Sequence, residues 1–181
     1  MNANDVLLIA RAVHYAAHAH RRQTRKGEEA TPYVNHLAEV AHLLAEAGCP
    51  AEVVAAGYLH DTIEDVGVTY EMLHEEFGAA IAGLVLAVTD DKALPKQVRK
   101  DLQVEHAAHS SPQQAALKLA DKISNLRSLR SNPPAGWDRQ RIVEYAAWAH
   151  RVVSNLPSPN PFLLERYASI RLSLLASLEV V

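Results

Sequence analysis

The chain has 181 residues, 49% of them hydrophobic and 22% charged, with a formal charge of -3. That length and balance suit one self-sufficient core, residues 1–181 as a single domain, and exclude a disordered or fibrous chain. The slight acidity excludes a protein that wraps DNA or RNA, which needs a broad surplus of Lys and Arg, so any phosphate site has to be local.

Cys49 is the single cysteine. It allows neither an internal disulfide nor a thiolate metal site, which points to a reducing compartment and a buried structural thiol. Met1 to His20 carries Asp5, Arg11 and several His residues, unlike the apolar core of a secretion signal. The longest apolar run, Ile81 to Val88, is interrupted only by Gly83 and falls far short of the ~20 residues that cross a bilayer. The expectation is a cytoplasmic protein with no membrane partner.

In chain order the pattern is helical nearly throughout, with apolar residues three and four apart. Asn4 or Asp5 is expected to cap a first helix with an apolar stripe through Val6, Ile9, Val13 and Ala17. The polar stretch from Gln23 to Ala30 reads as a loop or short hairpin. A second helix is expected from about His36 to Ala47, stopped by Gly48, and a third from Pro50 through Asp65. Thr69 caps a short helix ending at Gly78. The run from Ala79 to Val88, apolar on nearly all sides, predicts a helix at the centre of a bundle.

Pro95 opens a further helix, and Ser111-Pro112 and Asn160-Pro161 each supply a cap followed by a first-turn proline. Between them Asn132-Pro-Pro-Ala-Gly136 breaks the chain before a helix from about Asp138 to Asn155. The fold class is therefore all-α, a bundle of roughly eight to ten helices with at most a minor hairpin. Leu163, Leu164, Leu172, Leu174, Leu175 and Leu178 are either core or the face of a homo-oligomer.

Ala55-Ala-Gly-Tyr-Leu-His-Asp-Thr-Ile-Glu-Asp65 sets four ionisable groups, His60, Asp61, Glu64 and Asp65, in an otherwise apolar helix. Their three- and four-residue spacings put them on one side of it, and a cation is the simplest partner to offset the cost of burying them. A second polar stripe, Lys118, Asp121, Lys122 and Asn125, runs through Leu117-Lys-Leu-Ala-Asp-Lys-Ile-Ser-Asn125. His36 follows Thr31-Pro-Tyr-Val-Asn35 near a helix start. Two imidazoles and two carboxylates from three helices make a mixed nitrogen and oxygen site with room for water and substrate, suited to manganese, iron or zinc.

The order His36, His60-Asp61, Asp121 resembles the HD phosphohydrolase superfamily. The flanking words resemble the hydrolase domain of RelA/SpoT proteins, and most closely the stand-alone metazoan-type SpoT homologue. They are Arg25-Lys26, Thr31-Pro-Tyr-Val-Asn-His36, His60-Asp-Thr-Ile-Glu-Asp65, Val88-Thr-Asp-Asp-Lys92 and Leu119-Ala-Asp-Lys-Ile-Ser-Asn-Leu126, a resemblance running from about Ala12 to Val153.

The resemblance implies an HD-domain helical bundle that hydrolyses the small-molecule alarmones ppGpp and pppGpp to GDP or GTP plus pyrophosphate, with manganese as cofactor. It implies His36, His60, Asp61 and Asp121 as ligands, and Glu64 and Asp65 as the groups that orient and deprotonate the attacking water. Arg25, Lys26, Lys96, Asn125, Arg141 and Tyr145 match its substrate-binding positions. Lys118 and Lys122 are expected to pair with acidic neighbours, and His14, His18, His20, His42, His74, His106, His109 and His150 are expected to be ordinary surface or core residues. At 181 residues a synthetase domain is not expected alongside the hydrolase. Two other readings stay open: the same site removing the 2′-phosphate of NADPH or hydrolysing another nucleotide, and a non-catalytic helical module that binds an alarmone or a partner protein.

Overall fold

The computed structural model describes residues 2–179. Among the described residues ten helices follow one another: α1 (Ala3–Ala19), α2 (Val34–Glu46), α3 (Ala51–Leu59), α4 (Thr62–Val66), α5 (Tyr70–Phe77), α6 (Ala79–Leu86), α7 (Lys96–Ala107), α8 (Pro112–Ser131), α9 (Arg139–Ser154) and α10 (Pro161–Glu179). No strand is present among the described residues, only the isolated bridges Thr24 to Pro32 and Gly27 to Pro134. The hairpin expected near residue 27 is thus a loop closed by Arg25 N–H to the Thr31 carbonyl (2.8 Å) and Tyr33 N–H to the Gln23 carbonyl (2.9 Å).

Caps fix most helix starts. The Ser111 hydroxyl accepts from Gln114 N–H while the Gln114 side chain accepts from Ser111 N–H, and Thr69 and Asp138 accept from Met72 and Arg141. The cap of α1 is Asn2, earlier than the expected Asn4 or Asp5; Asp5 instead closes a capping box back onto Asn2 N–H. The stripe moves with it. Ala12 and Ala16 are buried and Val6 is 56% exposed, because only small residues let α1 lie close against α3.

The centre of the bundle is α3, in which Val53, Val54, Ala55, Ala56, Gly57 and Leu59 are all buried. It is wrapped by α1, α2 and α6, while α8 packs against α2 and α10. A Cβ at Gly57 would stand 2.8 Å from Leu44 Cδ1 and 3.1 Å from Ala41 Cα, so the α2–α3 approach requires glycine there. The expectation that α6 fills the centre is corrected: it buries Ile81, Ala82 and Val85, and Ala79, Ala80 and Leu86 face outward. Lack of a polar face does not by itself bury a helix whose main packing partners are α3 and α5 alone.

The third expected helix is also two. It breaks at His60–Asp61, where the Thr62 hydroxyl donates to the Leu59 carbonyl (2.6 Å), the acceptor that a continuing helix would use. Asp61 begins α4, which Gly67 ends at φ 75°. Among the C-terminal leucines, Leu163 and Leu174 are core, Leu175 and Leu178 are packed against it, and Leu164 and Leu172 are exposed. Cys49 is half-buried, less covered than expected. No described helix is long and apolar enough to cross a membrane.

Candidate metal centre

Four elements converge under the N-terminus of α2. His36 sits in the first turn of α2, His60 closes α3, Asp61 opens α4, and Asp121 lies midway along α8. One ligand atom each from His36, His60 and Asp121 lie within 4.8 Å of one another. His36 Nε2 is 3.4 Å from Asp121 Oδ1, and His60 Nε2 is 3.8 Å from the same oxygen. Asp61 flanks the two imidazoles, its Oδ2 3.1 Å from His60 Nε2 and 3.5 Å from His36 Nε2. Ligands held about 2.0–2.2 Å from one ion are spaced on this scale.

The hydrogen bonds fix both imidazole tautomers. His60 Nδ1 lies 2.9 Å from the Gly57 carbonyl, which only accepts, so its proton is on Nδ1. The Ser124 hydroxyl donates to Glu39 Oε2 (2.6 Å) and therefore accepts from His36 Nδ1 (2.8 Å). Both Nε2 lone pairs are left facing the carboxylates. His60 Nε2 is buried and has no hydrogen-bond partner, an arrangement that a metal ion resolves by taking the lone pair. The donor set fits a divalent cation of the manganese, iron or zinc kind.

Charge agrees. Burial opposes a proton on His60, but Asp61 and Asp121 outweigh it and raise its proton affinity well above the ordinary imidazole range. Burial likewise opposes ionisation of the two carboxylates. His60 and His36 hold Asp61 well below its usual range, and Lys122 with the same imidazoles does so for Asp121. A site that concentrates negative charge on an imidazole lone pair attracts either a proton or a metal cation.

Glu64 and Asp65 do not share one unbroken helix with His60, as expected, because of the joint at residues 60–61; both project from the short α4. Burial pushes the Glu64 carboxyl up to about 7 despite the Asp90 N–H that donates to it (3.2 Å), with Asp61, Asp90 and Asp65 adding to the rise. Arg99 stands 3.9 Å from it. Asp65 accepts from Gln23 Nε2 (2.7 Å) on one oxygen and pairs with Lys92 on the other. The Thr89-Asp-Asp-Lys92 segment and the loop after α1 thus set the orientation of the two acids.

Of the expected nucleotide contacts, Arg25 and Asn125 reach the centre. Arg25 donates to Asn125 Oδ1 (2.9 Å) and lies 5.6 Å over the Tyr33 ring, and Asn125 Nδ2 donates to Asp121 Oδ1 (2.6 Å). Tyr145 packs between Trp137 and Trp148, and burial pushes its phenol up to about 12. Arg141 is exposed and covers Trp137 at 4.4 Å, not Tyr145. Lys26 and Lys96 are exposed and are not drawn to the centre by any ion pair among the described residues.

Lys122 meets its expectation, pairing with Asp121 Oδ2 (2.9 Å) under the Trp148 ring (4.7 Å). Lys118 makes no such pair; burial and then Lys122 push it down to about 8. His20 is buried, stacked on Tyr33, and bonded to Gln23. Tyr33, which donates to Asp61 Oδ2 (2.7 Å), is a supporting residue that sequence reasoning missed. Its sequence signal is its place inside the Thr31-Pro-Tyr-Val-Asn-His36 motif, which gave it no role of its own. Ser124 and Lys92 fall inside motifs that carry the resemblance but were given no role there, and Glu39, Gln23 and Arg99 lie outside those motifs.

Residues 12–151 match the HD domain. The chain is 45% identical over 168 residues to guanosine-3′,5′-bis(diphosphate) 3′-pyrophosphohydrolase MESH1 of Danio rerio, covering 92% of this chain and 93% of that one. It is 48% identical over 164 residues to the Homo sapiens protein of the same name, covering 90% and 92%. A solved structure of a metazoan SpoT orthologue, described as hydrolysing ppGpp and playing a role in starvation responses, superposes with a TM-score of 0.87 at 42% identity, over 92% of this chain and 94% of the other. With the domain match, near full-length relatives and the helical architecture agreeing, the chain belongs to the HD-domain family, among the stand-alone SpoT-like proteins.

Proposed function

We propose that residues 1–181 act as one catalytic domain that hydrolyses ppGpp and pppGpp to GDP or GTP plus pyrophosphate, with manganese as the cofactor, in the cytoplasm. The observation that carries the reading is the unpartnered, buried Nε2 of His60 beside Asp61 and Asp121, in a chain whose near full-length relatives bear the name of that hydrolase.

His36, His60 and Asp121, with Asp61 beside them, would hold the ion. When bound, a divalent cation supplies Lewis acidity and offsets the charge that builds on the reacting phosphate. Glu64 takes the proton of the attacking water, and its raised proton affinity suits that task near neutral pH. Asp65, held by Gln23 and Lys92, orients the same water. Water oxygen bonds to the phosphorus next to the 3′ oxygen, that P–O bond breaks, and pyrophosphate leaves as the 3′ oxygen gains a proton.

Positive groups serve the anionic substrate. Arg25 donates to Asn125 beside the centre, and Lys26 and Lys96 supply point charges from exposed positions. Tyr145 and Arg141, set among Trp137 and Trp148, offer the rings and the planar cation that a purine stacks on. The test is a panel of ppGpp, pppGpp, NADPH and common nucleotides incubated with protein and manganese, with D61A as control. Release of pyrophosphate from ppGpp by the wild type alone is the expected result; no hydrolysis of ppGpp refutes the proposal.

A further inference from the structure

His20 is buried (2% exposed) at the end of α1 and takes no part in the hydrolysis described above. Among the described residues its ring has one hydrogen-bond partner, Gln23 Oε1 on Nδ1, while its Nε2 is buried without any. The Gln23 amide nitrogen in turn donates to Asp65 Oδ2 (2.7 Å). Groups from the end of α1, the loop after it and α4 thus form one chain, from His20 to Gln23 to Asp65.

The direction of the chain follows from the chemistry of its members. A carboxylate only accepts, so the amide nitrogen of Gln23 faces Asp65 and Oε1 faces His20; Oε1 also only accepts, so His20 carries its proton on Nδ1. A proton on Nε2 would have no acceptor, which points to the same tautomer. The ring is held in place by stacking on Tyr33 (5.2 Å between centroids, 16° between planes), and the His20 carbonyl accepts from Gln23 N–H (2.9 Å).

Asp65 needs such an anchor. Its other oxygen pairs with Lys92, whose side chain is 50% exposed, and an exposed ion pair holds little against solvent and salt. A glutamine side chain alone is a loose tether, because fixing its rotamers costs entropy. His20, buried and stacked, holds the far end of the amide and turns the tether into a strut.

We propose that His20 is a positioning residue for the hydrolysis: its Nδ1 proton, acting through Gln23, fixes the Asp65 carboxylate that orients the attacking water. It works through that chain and not by contact with ion or substrate. The proposal rests on the role given above to Asp65, whereas the chain itself is open to a test without metal or nucleotide.

Heteronuclear NMR of the metal-free full chain, labelled on its histidines and held in mildly alkaline buffer, reads the tautomer. His20, identified by the signal that H20N removes, is expected to carry its proton on Nδ1, and Q23M is expected to shift that signal and to speed exchange of the proton with water. In kinetics with manganese and ppGpp, H20F keeps a ring on Tyr33 but loses the donor; it lowers kcat about tenfold or more, with KM changed by less than about twofold. H20N restores a donor near the Nδ1 position and falls between H20F and the wild type. H20F combined with Q23M is no slower than Q23M alone, because both cut the same chain.

A proton on Nε2 of His20, or a His20 signal unmoved by Q23M, overturns the proposal whatever the substrate. So does a wild-type kcat in H20F, an equal loss in H20F and H20N, or additive losses in the double variant. Failure of the wild type to hydrolyse ppGpp refutes the reading of the site instead, and the tautomer then decides whether His20 holds Asp65 through Gln23.

Discussion

Replacing Ser124 with alanine removes one oxygen that serves two neighbours. Its hydroxyl accepts the His36 Nδ1 proton at 2.8 Å and donates to Glu39 at 2.6 Å. The His36 side chain is 2% exposed, so water does not replace the lost acceptor, and an unsatisfied buried donor costs about 1–3 kcal/mol. The imidazole escapes that cost by moving its proton to Nε2, which removes the lone pair that faces Asp61 and Asp121. Supporting hydrogen bonds of this kind change metal affinity about 10–100-fold. That corresponds to about 1.4–2.7 kcal/mol, which falls inside the range for the unsatisfied donor. Competition for manganese against a chromophoric chelator reads the change directly, and turnover at saturating manganese should return close to the wild-type rate. A Ser124→Ala protein that binds manganese with wild-type affinity would falsify the tautomer argument.

Three further outcomes are expected. Glu64→Gln keeps its metal and loses turnover by about 10²–10⁴-fold, and with it the ascending limb of kcat against pH, which in the wild type has its midpoint at or below about 7 because the acting form is the carboxylate and a bound cation favours it; wild-type rates in the variant remove Glu64 from the reaction. Manganese affinity rises with pH through the neutral range, because the His60 proton, held well above the ordinary imidazole range, has to leave before the ion binds; an affinity independent of pH between 6 and 8 (about one unit either side of neutrality) contradicts the charge assignment. Gly57→Ala drives a methyl to within 2.8 Å of Leu44 Cδ1 and destabilises the fold by about 1–3 kcal/mol, each kcal/mol lowering the melting temperature by about 2–4 °C; an unchanged melting curve means that α2 and α3 separate more easily than their packing implies.

The sequence is most legible where chemistry is local. Apolar spacing and caps such as Ser111 and Thr69 located the helices, and His36, His60, Asp61 and Asp121 stood out as polar residues in apolar surroundings. The joint at residues 60–61 was hidden because Leu59, Thr62 and Ile63 continue a helical pattern, and only the Thr62 hydroxyl bond shows where it parts. The shallow burial of α6 was hidden too, since composition does not say on how many sides a helix has neighbours. Tyr33, Ser124, Glu39, Gln23 and Lys92 act across separations of 27 to 88 residues; Tyr33, Ser124 and Lys92 lie in recognisable motifs, but no spacing in the chain says which distant group each one holds.

The joint between α3 and α4 has a further consequence. On an uninterrupted helix, consecutive side chains diverge by about 100°, so neighbours in the chain cannot aim at one point. His60 and Asp61 do so where the helix is interrupted between them, with the imidazole on the C-cap of α3 and the carboxylate on the N-cap of α4. A His-Asp dipeptide grafted into a straight helix of another scaffold would therefore present one ligand and waste the other. Transplanting this chelating pair requires carrying Thr62 along, since its hydroxyl takes the Leu59 carbonyl at the break between the two helices.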